Sequence, residues 1–491
     1  MLVIDRKLLG PDGMPGPELL GTLLRRHAQE RVRLDEIGEI YARRHRITSR
    51  RRLAGLPNNR LAHPFARYIT TMAAGYLAGQ PIKYDMDESG TAQADGADAA
   101  QTQKSREEAL KALEDAYRAS NIDSVDSELA KDASIYGKGV CICYVSDRDG
   151  ASPRAATIDP RTAFVIYDDT VEHNPMMGVH ITPRMGMDGR ADGVNVDVYT
   201  QDKRISFTRG ATEGALLPQQ ETPHFFGGVP IIEFWNNADE TGDFEGVISQ
   251  IDAYDAIQSD RVNDKQQFTD AILKVTGCTL EGDVEYDENG EIRDKRSIAQ
   301  KLLEEKIIAL PDHDASAEWL VKKGDEAGTE ILKDAIKADI HKMAMVPDLT
   351  DEKFAGNVSG VAMRYKLLGL EQMTATKERW FAEGLRSRMR LFGNLMHHLS
   401  GITLDADAVS ITFTRSLPVN ETEAASMVAT LDGMVPDEIL LAQLPFVKDV
   451  GDALDKLRAQ KDEAARAQAQ AFGGGYEDAN TRLADEQQDE P

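Results

Sequence analysis

Residues 346–381 read VPDLTDEKFAGNVSGVAMRYKLLGLEQMTATKERWF, and the order of features in that run decides the fold. Pro347 stops the helix before it, because proline has no N–H to continue the ladder. Gly356, Asn357, Ser359 and Gly360 then form a flexible polar link, in which Asn357 or Ser359 can cap the next helix. From Gly360 to about Ser400 a 3-4 apolar rhythm runs unbroken. Its second half places Phe381, Leu385, Met389, Phe392, Met396 and Leu399 on one face and Arg386, Arg388 and Arg390 on the other. Some forty residues rising 1.5 Å each make a rod of roughly 60 Å, long enough to cross a whole domain. Gly369, Gly384 and Gly393 are the expected bends.

Upstream, two helical patterns flank a small insertion. Glu326–Pro347 carries Ile331, Ala335, Ala338 and Met345 at helical spacing, marking an apolar side. Phe244–Leu273 has apolar ends (Val247, Ile251, Tyr254; Phe268, Ile272) around a polar middle, QSDRVNDKQQ at 258–267. A helix polar on every face is not held by its own core, so this one is expected between like neighbours or beside water. Residues 274–323 break into short strand-like pieces around DENGE, with a helix near Ser297–Glu305. The layout is helix, α+β insertion, helix, loop, long helix.

The N-terminal half mixes both periods. Residues 17–45 read as helix, with Leu19, Leu20, Leu23 and Leu24 on one side. Phe65, Ile69, Met72, Ala73 and Tyr76 form a second helical stripe, ended by Gly79 and Pro81, before a strand at Ile82–Tyr84. Residues 87–104 are low in complexity and polar, expected as a mobile surface loop, with one helix following from about Arg106 to Ser134. From Tyr136 the period changes to two, and 136–235 reads as an antiparallel sheet region with Asp-Gly and Asp-Pro turns. Val409–Thr414 alternates in the same way and is expected to return to that sheet. Asn420–Lys456 is a last helical region opened by the capping-box pattern Asn420-x-x-Glu423. Ala471–Pro491 holds six acids and one arginine and reads as a disordered tail. The fold class is α+β, mainly helical.

Charge narrows the function. The chain of 491 residues carries −26, which argues against a general phosphate-neutralising surface. Met1–Arg60 holds 13 Lys and Arg against 7 acids, so the rest carries −32. The basic bias is densest at YARRHRITSRRR and reads as a solvated face or arm. Aromatics at 6% leave little surface for stacking bases. Cys141 and Cys143 alternate on one strand and are expected to fill a buried sheet face; with Cys278 they make neither a disulfide framework nor a zinc site. No apolar run reaches the roughly 18 residues that span a bilayer, and no signal-peptide layout opens the chain, so a reducing cytosol is expected.

Chemistry-bearing motifs are missing. YGKG lacks the upstream glycine and the hydroxyl residue of a phosphate loop, and G-x-S-x-G, H-E-x-x-H and paired C-x-x-C do not occur. His397 and His398 are adjacent and so lie on different helix faces. Asp348, Asp351 and Glu352 offer carboxylates for a divalent-metal nuclease, but no second acidic cluster with a supporting lysine accompanies them. No enzyme activity, metal or cofactor is indicated.

Three stretches resemble the portal protein family of tailed bacteriophages, SPP1-type (gp6-like) branch. They are Asn58–Tyr84 with FARYITTMAAGYLAGQPIKY, Ala133–Asp169 with ASIYGKGVCICYV and IDPRTAFVIYDD, and the opening run Val346–Phe381. The likeness covers about residues 40–420. It implies a ring-forming portal fold: a wing (1–243 and the strand 400–419), stem helices (244–273 and 325–345), a clip (274–324), a tunnel loop (346–359), a spine helix (360–399) and a crown (420–470), with 471–491 as tail.

The resemblance further implies a homo-oligomer, commonly a dodecamer, at one capsid vertex of the virion, assembled in the host cytoplasm. Double-stranded DNA would pass through without being tightly bound. Terminase, a head-completion adaptor, and capsid and scaffolding proteins would be partners, and no membrane is involved. Lys353 and Asn357 in the loop, with Lys333, Lys337 and Lys342 in the stem, are the candidate DNA contacts; Gly356, Ser359 and Gly360 are the candidate hinge. A non-conducting scaffold or adaptor oligomer is the alternative.

Overall fold

A computed structural model describes residues 1–461 apart from 11–12, 55, 87–96, 147–151, 211–215, 270–271, 277–284, 287, 295–315, 321–325, 350–359, 416–420, 432, 442–443, 445–446, 448–449 and 452. The chain opens with a short strand β1 (Leu2–Ile4) and a helix α1 (Pro17–Tyr41), started by Pro17, whose preset φ suits the first helical turn. The predicted stripe after Pro64 becomes α2 (Phe65–Ala78), burying Ile69, Ala73 and Tyr76, and is followed by strand β2 (Lys83–Met86). The helix expected from Arg106 starts earlier and is two helices. Helix α3 (Ala97–Ser120) takes in the alanine-rich residues assigned to the loop 87–104, because alanine favours helix more than low complexity opposes it. Asn121, at φ 51°, breaks it from α4 (Ile122–Tyr136).

The sheet region at 136–235 is two sheets, not one. Strands β3 (Lys138–Ser146), β4 (Ser152–Ile158), β5 (Ala163–Asp168), β6 (Pro175–Met185), β7 (Ala191–Tyr199), β8 (Lys203–Gly210), β9 (Leu217–Pro223) and β10 (Ile231–Trp235) follow in order. One sheet is ordered β10-β3-β4 and the other β1-β5-β6-β7-β8-β9, with β1 parallel to β5 and the other pairs antiparallel. Cys141 and Cys143 are buried on β3, as their alternation predicts. Leu20, Leu23 and Leu24 of α1 pack on Phe164, Met177, Val179, Val196 and Val198 of the larger sheet.

Helix α5 (Ile248–Thr269) leads into short strands β11 (Ile272–Thr276), β12 (Glu285–Tyr286), β13 (Ile292–Asp294) and β14 (Ser316–Leu320), and α6 (Glu326–Met343) follows. Strands β11 and β14 pair with each other, closing the insertion at its base. The predicted apolar side of α6 is corrected: Ile331, Ala335, Ala338 and Met345 are exposed, and Ile340, Ala344 and Val346 are buried. The spacing was that of a helix, but a spacing does not say which face meets the protein.

The long rhythm is one helix, α7 (Gly360–Ser400), 41 residues without a break. Strand β15 (Val409–Thr412) pairs with β2 and not with either larger sheet, which corrects its expected return. Period two sets the faces of a strand, not its neighbour. Helices α8 (Glu421–Leu431) and α9 (Asp437–Leu441) follow. Two compact units result: residues 1–350 with 367–415, and residues 351–366 with 416–491. Asn420 of the capping box, Cys278, the Ser297–Glu305 helix and the acidic tail lie outside the described residues.

The apolar face of α7 forms as read from Phe381 to Met396: Phe381, Leu385, Met389, Phe392 and Met396 are buried with Phe226, Phe234, Leu129 and Cys141, whereas Leu399, also assigned to that face, is exposed at the end of the helix. Arg388 was assigned to the opposite, solvent face, and this is the clearest correction, for it has no exposure at all. It lies one residue from Met389, inside the stripe. Its Nη1 donates to Asp126 Oδ1 at 2.5 Å and its Nη2 to Asp126 Oδ2 at 3.1 Å and Tyr84 Oη at 3.3 Å, with the guanidinium 5.0 Å from the Tyr117 ring centroid. Gly384 serves close approach within a continuous helix, since a Cβ there would stand 2.6 Å from the Phe234 ring.

Arg388→Ala, leaving Asp126 buried without its partner, should lower stability in denaturant unfolding by about 3–5 kcal/mol. Gly384→Ala should also destabilise, by about 1–3 kcal/mol, because overpacking against Phe234 exceeds the roughly 1 kcal/mol that alanine gains in helix propensity.

Candidate functional site

The polar middle of α5 has an interior use. Asp255, Ser259 and Asn263 recur every four residues, so they share one face, and all three are fully buried. What covers them is the segment 45–63 of the same chain. His45 Nδ1 donates to Asp255 Oδ2 at 2.5 Å, and its Nε2 lies 3.1 Å from the Ile40 carbonyl oxygen. His63 donates from its backbone N–H (2.9 Å) and its Nδ1 (2.8 Å) to Asp255 Oδ1. The Leu61 amide donates to Ser259 Oγ at 3.0 Å and the Asn59 amide to Asn263 Oδ1 at 2.7 Å. Burial alone would push the Asp255 carboxyl up, but the hydrogen bonds from His45 and His63 hold it below the ordinary carboxylate value.

The helix therefore needs no neighbouring copy to satisfy this face, which corrects the expectation drawn from its composition. The basic run YARRHRITSRRR is corrected in part as well: Arg50 (2.6 Å) and Arg52 both donate to Asp260 of α5. Arg43, Arg44, Arg46 and Arg51 remain at the surface.

Helices α5 and α6 lie side by side and antiparallel, since Arg261 pairs with Glu330 at 2.8 Å and Lys265 with Glu326. Of the candidate DNA-contacting lysines on α6, Lys333 pairs with Glu330 and Asp334, Lys337 pairs with Asp348 at 2.6 Å, and Lys342 is exposed. Lys353, Asn357, Gly356 and Ser359 lie outside the described residues, as do Asp351 and Glu352; Gly360 is the first residue of α7.

The approach to that segment is held at every residue. Met345 adopts φ 55°, a left-handed turn that costs a side-chain-bearing residue about 1–2 kcal/mol. Val346 is fully buried, and His341 Nδ1 donates to its carbonyl at 3.1 Å. The Tyr68 hydroxyl donates to the Pro347 carbonyl at 2.8 Å and accepts from the Leu349 amide at 3.1 Å. The His341 ring packs edgewise on Phe65 and Tyr68. Sequence reading missed Tyr68 and His341, because single polar atoms at the rim of a helical stripe carry no motif. Asp348 is engaged by a lysine, and among the described residues no cluster of three or more His, Cys, Asp or Glu is placed to hold a metal. No described helix is long and apolar enough to cross a membrane.

A family model described as "Phage portal protein, SPP1 Gp6-like" matches residues 20–467. The portal protein of Bacillus phage SPP1 is 21% identical over 440 residues, covering 86% of this chain and 80% of that protein. The portal protein of Clostridium phage phiCD119 is 26% identical over 244 residues, 49% of this chain and 50% of that protein.

A carboxyl held low contributes stability above the ordinary carboxylate value of about 4, and the contribution is lost as pH falls through the lower folded value. Asp255→Asn should mimic that loss at neutral pH: limited trypsin digestion should cut faster at Arg46–Arg60 than in the wild type, with the sheets still protected.

Proposed function

The chain belongs to the SPP1 Gp6-like family of phage portal proteins, and from that premise we propose that it assembles into the ring through which a tailed phage packages and ejects its DNA. The observation that carries this reading is the extent of the family match, residues 20–467, which takes in every strand of the two larger sheets except β1 and every helix from α2 to α9. The antiparallel pair α5 and α6, with the β11–β14 insertion between them in sequence, supports their assignment as stem helices around a clip. On this reading 1–243 with 400–419 is the wing, α7 the spine, 420–470 the crown and 346–359 the tunnel loop. The ring is commonly dodecameric in the family. It stands at one capsid vertex of the virion, the clip meets terminase and then the head-completion adaptor, and capsid and scaffolding proteins are further partners.

The electrostatics suit a conduit. Neutralising six to ten phosphates produces tight, salt-sensitive binding, which would stall a sliding duplex. A chain of −26 avoids that, and a few amide or basic groups repeated around the ring give brief contacts. Lys353 and Asn357 are the proposed contacts, with Lys342 a weaker one. The pairing of Lys333 and Lys337 within the protomer supports a structural role for those two. The hinge is proposed at Gly356, Ser359 and Gly360, on the α7 side, because 346–349 are held. The protein is a structural channel and performs no catalysis.

Deleting 350–357 should leave the native mass of the oligomer unchanged and abolish DNA-filled heads. Normal filling by that deletion refutes the loop's role, and a monomeric native mass contradicts the portal reading as a whole.

A further inference from the structure

One hydroxyl stands at the point where the 350–359 segment leaves α6. Tyr68 belongs to α2, nearly 280 positions away in the chain, yet its oxygen bonds both the carbonyl of Pro347 and the amide of Leu349. Those two groups flank Asp348, whose carboxylate is taken by Lys337 of α6 at 2.6 Å, with His341 Nε2 at 3.8 Å. The Tyr68 hydroxyl reaches this root from a different element, whereas His341 and Lys337 both come from α6. A hydroxyl can donate once while accepting, and here both capacities are spent on the same three-residue strap.

We propose that Tyr68 is a positioning residue for DNA passage: its hydroxyl holds the root Pro347–Leu349, from which the chain leaves α6. The inference rests on the proposed lumen role of that segment. If the segment meets the duplex as it slides, each passing contact pulls on residue 349, and a root tied to α2 transmits that pull to the wing instead of letting the strap peel from α6. Tyr68→Phe separates this role from packing, because the ring and its edgewise contact with His341, at 5.5 Å between centroids, are retained and only the oxygen is lost.

The test compares wild type, Tyr68→Phe, Lys337→Met and the 350–357 deletion as full-length oligomers. Hydrogen–deuterium exchange is read on peptides covering 345–349, and filled heads are counted after complementation of a phage lacking its portal. Tyr68→Phe should keep the native mass and melting profile of the ring and speed exchange at Leu349 by about tenfold, the loss expected for a pair of modest hydrogen bonds. It should also reduce filled heads severalfold. Lys337→Met removes the lysine from Asp348 at the same root and should act in the same direction. Unchanged exchange at Leu349 in Tyr68→Phe overturns the proposal, whatever happens to packaging. Faster exchange with normal filling, while the deletion fails to fill, overturns it as well. If the deletion itself fills heads normally, the lumen reading has failed, and the exchange data alone decide whether Tyr68 ties the strap.

Discussion

The guanidinium of Arg388 has no contact with solvent, so its charge must be balanced inside the fold, and Asp126 balances it. Withdrawing two such ions from water costs several kcal/mol each, and only a two-pronged geometry with further partners recovers that. The recovery requires α4 to present Asp126, β2 to present Tyr84 and α3 to present Tyr117, all at one level of α7. One side chain thereby fixes the rotation of the long helix against three other elements. Lys377, paired with Asp243, and Glu371, paired with Arg415 at 2.8 Å, fix it again further towards its start. A helix pinned at three levels resists rolling, which suits the spine role proposed for it.

A second buried carboxylate does for α5 what Asp126 does for α7. Asp255 accepts from His45 and His63, and the 45–63 segment closes over a helix face that would otherwise leave three polar side chains without partners. The helices proposed as the stem are thus held from outside by α2 and by this segment, while their ends lead to the insertion and to the 346–349 root. The uncovered side of α6, with Ile331 and Leu332 at 71% and 51% exposure, is what remains for other contacts.

Much of this was legible in the sequence, and the failures share a cause. The 41-residue helix, the Phe381–Met396 stripe and the buried cysteines follow from period alone, because side-chain spacing repeats the geometry of the element. Period does not name partners. It left Arg388 among the solvent-facing arginines, gave α6 the wrong buried side, sent β15 to the wrong sheet and left the QSDRVNDKQQ face to neighbours or water. For Arg388, β15 and the α5 face the outcome hangs on contacts made from more than a hundred positions away. Tyr68 is the extreme example: two hydrogen bonds from one oxygen leave no trace in a sequence pattern.

On the function proposed above, this chain builds a conduit with the 350–359 segments at its lumen. A density map of the assembled oligomer, viewed along its symmetry axis, tests it most directly. The expected result is an open axial channel whose narrowest level is formed by residues 350–359 of every subunit, with α7 running outward from it. A closed axis, or those residues on the outer wall, would contradict it.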